Sequence, residues 1–135
     1  MADTLALFFP NSAETRGVTV RVVVNFLPDQ SAPDQARWFW SYHVRIENGG
    51  GAPIQLLARH WRITDGRGRV YEVQGQGVVG ETPVILPGGS YDYVSGCPLD
   101  TPAGRMSGHY QFAMEDGTMF AAMIPEFLLS SPAGE

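Results

Sequence analysis

Apolar side chains occur at every second position over most of this chain, and this alternation predicts its structure. Val18 to Asn25 alternates with valine on one face, and Arg37 to Asn48 alternates with aromatic and aliphatic residues on one face. A period of two with β-branched and aromatic residues is typical of half-buried β-strands. Further alternating stretches predict strands over residues 54–64, 69–74, 91–95, 106–114 and 120–124.

No stretch repeats apolar residues at the helical spacing of i, i+3 and i+4, and glycine or proline turns separate the strands. Seven to eight short antiparallel strands predict an all-β fold, either a sandwich or a barrel. The segment 54–64 has apolar residues on both faces and is expected to be a central strand.

The chain of 135 residues has the length of one domain. Residues 1–15 show no sustained period and are expected to form a flexible N-terminal arm. Residues 16–130 form the predicted domain, and residues 131–135 are a polar C-terminal tail.

A glycine-rich stretch near the middle contains Gly75-x-Gly77-x-x-Gly80, the spacing of a dinucleotide-binding loop. That motif binds a pyrophosphate only where a helix follows, because the helix N-terminus supplies the free N–H groups. Pro83 and Pro87 follow here and disfavour a helix. The stretch is therefore predicted to be a turn between strands, with one of the two valines at 78 and 79 pointing into the core.

The charge and the N-terminal sequence exclude several classes of partner. The net charge is −5, and all nine basic residues are arginines without a basic stripe, so no nucleic acid partner is expected. The apolar run from Leu5 to Phe9 is too short for a signal peptide or a membrane span. The single cysteine, Cys97, excludes an internal disulfide and fits a reducing compartment. We expect a cytoplasmic protein without a membrane partner.

The sequence contains no clear candidate for a catalytic residue. Cys97 lies between Gly96 and Pro98, in a predicted loop with no evident base nearby. Three histidines lie on separate segments without metal-ligand spacing: His43, His60 and His109. We expect no catalytic residue, no metal site and no cofactor, and therefore no enzyme.

Four arginines, at 59, 62, 67 and 69, precede the glycine turn. Guanidinium groups beside backbone N–H groups can bind a phosphate or a carboxylate. Strand alternation, however, places Arg59 and Arg62 on opposite faces. The favoured interpretation is structural, with Arg59 stacking or pairing with an acid of a neighbouring strand. The alternative is a nucleotide or pyrophosphate site made of Gly75, Gly77, Gly80, Arg59 and Arg62.

Several motifs between about Gly17 and Leu129 together resemble the ApaG family. They are Arg59-His60-Trp61-Arg62-Ile63-Thr64-Asp65, Val73-x-Gly75-x-Gly77-Val78-Val79-Gly80-Glu81-x-Pro83, Leu86-Pro87-Gly88, Tyr93-x-Ser95-Gly96, Thr101-Pro102-x-Gly104-x-Met106-x-Gly108-x-Tyr110-x-Phe112, and Ile124-Pro125-x-Phe127-x-Leu129.

The resemblance implies an immunoglobulin-like or fibronectin type III-like β-sandwich. It implies a link to cobalt and magnesium resistance, and it implies protein binding, since similar domains occur in eukaryotic F-box proteins. It implies no catalytic residues. Two alternative functions are therefore predicted: a protein-interaction domain whose partner is unknown and which could form a homo-oligomer, and ligand binding at the Gly75–Gly80 turn.

Overall fold

The computed structural model describes residues 5–132, which form two antiparallel β-sheets packed face to face. This confirms the predicted all-β sandwich. The strands are β1 (Asn11–Thr15), β2 (Val18–Phe26), β3 (Trp38–Asn48), β4 (Ile54–Asp65), β5 (Val70–Gln76), β6 (Val84–Ile85), β7 (Ser90–Leu99), β8 (Ala103–Met114) and β9 (Met119–Ser130). The helical pieces are one α-helical turn, α1 (Leu5–Phe8), and two 3₁₀ turns, Pro28–Gln30 and Pro33–Gln35.

The first sheet has the order β1-β2-β3-β7, and the second has the order β5-β4-β8-β9 with β6 paired to the start of β4. The inward faces of both sheets form one core. Its largest fully buried side chains are Trp40, Tyr110, Phe112, Phe127, Ile46, Leu56, Met106 and Leu129. Removing this apolar surface from water is the main force that holds the sheets together.

The alternation predicted for the first two strands is confirmed by burial. Val18, Val20 and Val22 of β2 are at most 1% exposed, while Thr19 and Arg21 between them are half-buried. β3 is buried at every second residue along its whole length. These two strands form the centre of the first sheet.

The N-terminal arm predicted for residues 1–15 is wrong over Asn11–Thr15, which pair with Val18–Val22 as the edge strand β1. Only one of its five residues is apolar, Ala13, so the sequence offers no period to detect. With β1 and the two-residue β6, the described residues contain nine strands, where seven to eight were predicted. Residues 1–4 of the predicted arm and 133–135 of the predicted tail lie outside the described residues.

A β-bulge in β4 explains why apolar residues occupy both odd-numbered and even-numbered positions of that strand. The register with β8 shifts between Leu56 and Ala58, which inserts Leu57 as an extra residue. Before the bulge the even-numbered residues face the core, and after it the odd-numbered ones do, including Trp61 at 3% exposure. β4 does have hydrogen-bonded neighbours on both sides, as predicted for a central strand.

The two long sides of the sandwich differ. On one side the sheets meet, because the Met123 N–H of β9 donates to Thr15 Oγ1 of β1 at 3.1 Å, and the Arg16 guanidinium lies 5.3 Å from the centroid of the Phe120 ring. On the other side the edge strands β5 and β7 stand apart and leave a groove between them that is open to solvent. None of the helical pieces within residues 5–132 has the length and apolar character needed to cross a membrane.

Candidate functional site

The gap between β5 and β7 is a cavity of about 540 Å³, which we call the open groove. Tyr71 and Val73 of β5 line one wall, and residues 95–99 of β7 line the other. Trp61 and Ile63 of β4 form part of the floor. An apolar cavity with a few polar groups at its walls is the usual form of a binding site.

Arg59 is a charged side chain in the lining of the open groove, and backbone atoms hold it in place. Its Nη1 donates to the carbonyls of Gln76 and Gly77, at 3.2 and 2.9 Å. The guanidinium lies directly over Gly75, where an added Cβ would be 2.8 Å from the Arg59 Cζ. Glycine at 75 therefore makes room for Arg59 rather than for a turn, since Gly75 belongs to β5.

The remaining three N–H groups of Arg59, on Nε and Nη2, make no hydrogen bond within residues 5–132. No carboxylate oxygen in this part of the chain lies within 4.0 Å of them. Within the same residues Arg59 also has no cation–ring contact. The prediction that Arg59 stacks or pairs with an acid of a neighbouring strand is therefore wrong, and backbone carbonyls take that place. A fixed and partly buried guanidinium without a counter-charge is suited to bind a carboxylate.

The glycine turn uses its own N–H groups internally. Gly77 donates to the carbonyl of Leu57 at 2.7 Å, and Val78 and Glu81 exchange two N–H···O bonds of 2.9 Å. The predicted split of the two valines is confirmed, because Val78 is fully buried and Val79 is 56% exposed. The chain then enters β6, so no helix follows Gly80.

Of the other members of the alternative ligand site, Gly77 accepts a hydrogen bond from Arg59 through its carbonyl, while Arg62 and Gly80 do not join them. Arg62 is exposed, and it lies on the face of β4 that points away from the core. Gly75 lies within β5, and Gly77 and Gly80 have positive φ angles of 64° and 82°. The structure therefore brings Arg59, Gly75 and the carbonyl of Gly77 together and leaves Arg62 on the opposite face, as strand alternation predicted.

A hydrogen-bonded pair of buried tyrosines lies in the core between the two sheets. The Tyr93 and Tyr110 hydroxyls share a short hydrogen bond between the sheets. Burial raises the pKa of both phenols above the ordinary value. It raises the pKa of Tyr42, beside them, as well.

Cys97 was expected in a loop, and this is wrong, because β7 continues through it to Leu99. The strand places its side chain in the wall of the open groove at 3% exposure. Burial raises the pKa of the thiol to about 11. The thiolate is therefore scarce near neutral pH, and Cys97 is poorly suited to act as a nucleophile.

An ion-pair network closes one end of the open groove. Arg69, at the end of the β4–β5 hairpin turn, donates from Nη2 to both carboxylate oxygens of Asp100 at 2.7 Å and from Nε to Asp65 Oδ2 at 2.7 Å. These bonds join the β4–β5 hairpin of one sheet to the connection that follows β7 of the other. The network links the two walls at this end.

Pairing of β4 with β8 brings together two histidines that the sequence keeps 49 residues apart. His60 and His109 are register partners, and their rings stack with centroids 5.0 Å apart on the outer face of the second sheet. His60 Nε2 lies 2.6 Å from Glu72 Oε1. Sequence reasoning could not find this pair, because it depends on the strand register. Across residues 5–132, no group of three or more His, Cys, Asp or Glu side chains is arranged to hold a metal ion.

Comparison with known proteins gives a consistent result. The family model described as the ApaG domain matches residues 28–114. The chain is 52% identical over 120 residues to Protein ApaG of Methylobacterium sp. (strain 4-46), covering 89% of this chain and 92% of that protein. It is 51% identical over 120 residues to Protein ApaG of Maricaulis maris (strain MCS10), with the same coverage of both chains. A crystal structure described as an ApaA protein from Bordetella pertussis superposes with a TM-score of 0.83 at 46% identity, covering 91% of this chain and 98% of that one.

The fold is thus a two-sheet antiparallel sandwich with one open side. Both the match to the family model and the similarity to the relatives show the family. The chain belongs to the ApaG family.

Proposed function

We propose that this chain is a protein-interaction domain that adds an extended segment of a partner to the free edge of β5. The observation that carries the proposal is the exposure of β5, where Val70, Tyr71 and Val73 are each 43–44% exposed. The edge of a sheet presents unpaired backbone N–H and C=O groups that another strand can pair with. Exposed apolar side chains on such an edge favour a partner that covers them.

The open groove extends this surface. A strand added beside β5 would lie over the gap between the two sheets, so that every second side chain points into the cavity. Main-chain hydrogen bonds then supply affinity, and the groove supplies selectivity through those side chains. The opposite long side of the sandwich offers no such gap, because β1 and β9 are in contact there.

The proposal assigns this chain a binding role in the cytoplasm and no enzymatic activity. The link to cobalt and magnesium resistance that the family resemblance implies would then act through the bound protein rather than through a metal held by this chain. The alternative of a nucleotide at the Gly75–Gly80 turn has less support. Three N–H groups of that turn, at 77, 78 and 81, already bond to carbonyls of this chain.

Capture from the native cell extract by the immobilised protein tests the proposal when a change on β5 is compared with one on the opposite edge. Val73→Glu places a charge on the exposed apolar edge, and we expect it to abolish capture of the specific partner. The matched control is Leu128→Glu on β9, at the other edge of the same sheet, where Leu128 is 67% exposed. The control should bind as the unchanged protein does, and thermal unfolding should show that both variants are folded.

Hydrogen exchange then locates the contact. Amides of β5 should exchange more slowly in the complex than in the free protein, and those of β9 should be unchanged. Loss of capture with Leu128→Glu but not with Val73→Glu, or protection confined to residues 77–81, would contradict strand addition at β5.

A further inference from the structure

The chemistry of the partner segment can be inferred from the side chains that the added strand would meet. This step rests on the proposed function. Residues that face each other in neighbouring strands point to the same side of a sheet. The β5 residues on the groove side are Tyr71, Val73 and Gly75, since they pair with Ile63, Trp61 and Arg59 of β4. Each presents a different surface to the residue that would lie opposite it.

Opposite Tyr71 and Val73 the surface is apolar. Both side chains are more than 40% exposed and line the open groove together with Trp61 and Ile63. The groove volume of about 540 Å³ is large enough for two side chains of the partner. Apolar residues at two positions of the segment, two residues apart, would fill this space.

Opposite Gly75 the surface is cationic. Gly75 has no side chain, and the guanidinium of Arg59 lies over it instead. Nη1 is bonded to the carbonyls of Gln76 and Gly77, so the guanidinium is held while Nε and Nη2 keep their N–H groups free of protein partners within residues 5–132. A carboxylate at the facing position would accept two hydrogen bonds from a donor already in place, which lowers the entropic cost of binding.

We propose that the partner segment of the β5 edge is an extended peptide whose acidic side chain binds Arg59 and whose apolar residues, two and four positions away, fill the open groove. Every strand pair in both sheets is antiparallel, and antiparallel addition gives the order acidic-x-apolar-x-apolar. Arg59 is thus the residue that sets register as well as charge preference. Without Arg59, a segment that is recognised only by its apolar residues could pair with β5 in a register shifted by two residues.

A second copy of this chain does not supply this pattern. If two β5 strands paired about a two-fold axis, the groove side of one would meet the groove side of the other, which carries Tyr71, Val73 and Gly75. No carboxylate would face Arg59 in that arrangement. The chemistry therefore favours a different protein as the partner.

Selection from a phage-displayed library of random dodecapeptides tests the proposal without knowledge of the natural partner. Peptides selected on the unchanged protein should share the pattern acidic-x-apolar-x-apolar. The same selection on Arg59→Gln should keep the apolar pair and lose the acidic preference. Arg62→Gln, on the opposite face of β4, is the matched control and should select the same acidic peptides as the unchanged protein.

A synthetic peptide of the selected sequence and its acid-to-amide analogue give the quantitative test by fluorescence anisotropy. The amide peptide should bind the unchanged protein at least about tenfold more weakly, as expected for hydrogen bonds to a charged group. The two peptides should bind Arg59→Gln equally, and only that equality assigns the acidic preference to Arg59. The comparison on the unchanged protein remains informative even if Arg59→Gln does not fold.

The results that would contradict acidic recognition by Arg59 differ from those that would contradict strand addition at β5. Selected peptides that protect β5 from hydrogen exchange but show no acidic preference, or keep that preference on Arg59→Gln, overturn the pairing with Arg59 and leave strand addition standing. Failure to select any peptide, protection that lies away from β5, or a dimer of this chain that Val73→Glu dissociates, counts against both.

Discussion

At the scale of single residues, the turn after β5 depends on a glycine that no other residue can replace. Gly77 has a φ of 64°, and a Cβ added there would lie 2.1 Å from the carbonyl oxygen of Glu81. That carbonyl is fixed, because it accepts a hydrogen bond from the Val78 N–H. The turn cannot relax around a side chain at 77 without breaking this bond and shifting the buried Val78.

We expect Gly77→Ala to lower stability by at least about 2 kcal/mol, which is roughly 6–10 °C in Tm for a domain of this size. The cost combines a left-handed backbone with overlap against backbone atoms. Thermal unfolding followed by circular dichroism measures it. Gly51→Ala is the control, since no atom lies within 4 Å of a Cβ there. It should change stability by less than about 0.5 kcal/mol, as exposed substitutions usually do.

Peptide binding shows whether Gly77 is needed for the backbone conformation of the turn or for contact with the partner. Binding to folded Gly77→Ala should fall only in proportion to the folded fraction. A variant with the original Tm that no longer binds would contradict the structural role of Gly77, and would make the turn part of the binding surface.

For single residues of the site, the sequence predicted some features and missed others. The sequence identified Arg59 as a candidate and placed it on the face of β4 opposite to that of Arg62, because strand alternation fixes the face. It did not identify the carbonyls of Gln76 and Gly77 as its partners. Those bonds depend on how the chain turns after β5, and no side-chain pattern encodes them.

At the scale of elements, the strands with strong alternation could be predicted and those without it could not. β3 alternates along its whole length and β2 does so from Val18 to Val22, so the predicted and observed strands agree closely. β1 is polar and is defined only by its pairing with β2. The bulge at Leu57 moves the inward face of β4 from even to odd positions, which a fixed period of two cannot represent.

The hairpin between β4 and β5 is an element held by one buried carboxylate. Asp65 accepts hydrogen bonds from the N–H groups of Arg67 and Arg69 and from the Arg69 Nε. Burial alone would raise the pKa of this carboxyl, but these donors outweigh it and lower the pKa below the ordinary value. The hairpin carries the exposed edge of β5, so its geometry also sets the position of the proposed binding surface.

Asp65→Asn should lower the Tm at pH 7 by several degrees, and the difference from the unchanged protein should shrink as the pH falls from about 5 to 3. A carboxyl whose pKa is lower in the folded state stabilises that state above the unfolded pKa of about 3.9 and loses this contribution as it is protonated. Thermal unfolding across this pH range measures the effect. Glu115→Gln, an exposed acid in the β8–β9 turn, is the control and should leave the Tm unchanged. A difference that does not depend on pH would contradict a role for the charge of Asp65.

At the scale of the whole molecule, the sandwich joins a sealed side to an open one. Contacts between β1 and β9 seal the first, while the bonds of Arg69 to Asp65 and Asp100 span the second at one end. Between them the core contains hydroxyl and thiol groups as well as hydrocarbon. The molecule therefore combines one closed side with one accessible edge, which is the form that strand addition requires.

The buried hydroxyl and thiol groups predict how the whole fold responds to alkaline pH. Burial raises the pKa of Cys97 to about 11 and raises those of Tyr93 and Tyr110 above the ordinary value. In the unfolded chain these groups ionise near about 8.5 for cysteine and about 10 for tyrosine. The unfolded state therefore binds fewer protons than the folded state above these values, so the contribution of these three groups to stability is constant below about pH 8 and falls as the pH rises.

We expect the concentration of guanidinium chloride at the midpoint of unfolding to decrease steadily between about pH 8.5 and 11. The double variant Tyr93→Phe, Tyr110→Phe removes both partners of the buried hydrogen bond, so no hydroxyl is left unpaired. It should show a shallower decrease, because two of the groups that ionise only on unfolding are gone. Tyr71→Phe, at an exposed tyrosine of β5, should decrease as steeply as the unchanged protein. Absorbance at 295 nm provides an independent measurement, because the buried tyrosines should ionise together with unfolding rather than before it. A midpoint that stays constant to pH 11, or tyrosine ionisation that is complete in the folded protein, would contradict the assignment of these hydroxyls to the sealed interior between the sheets.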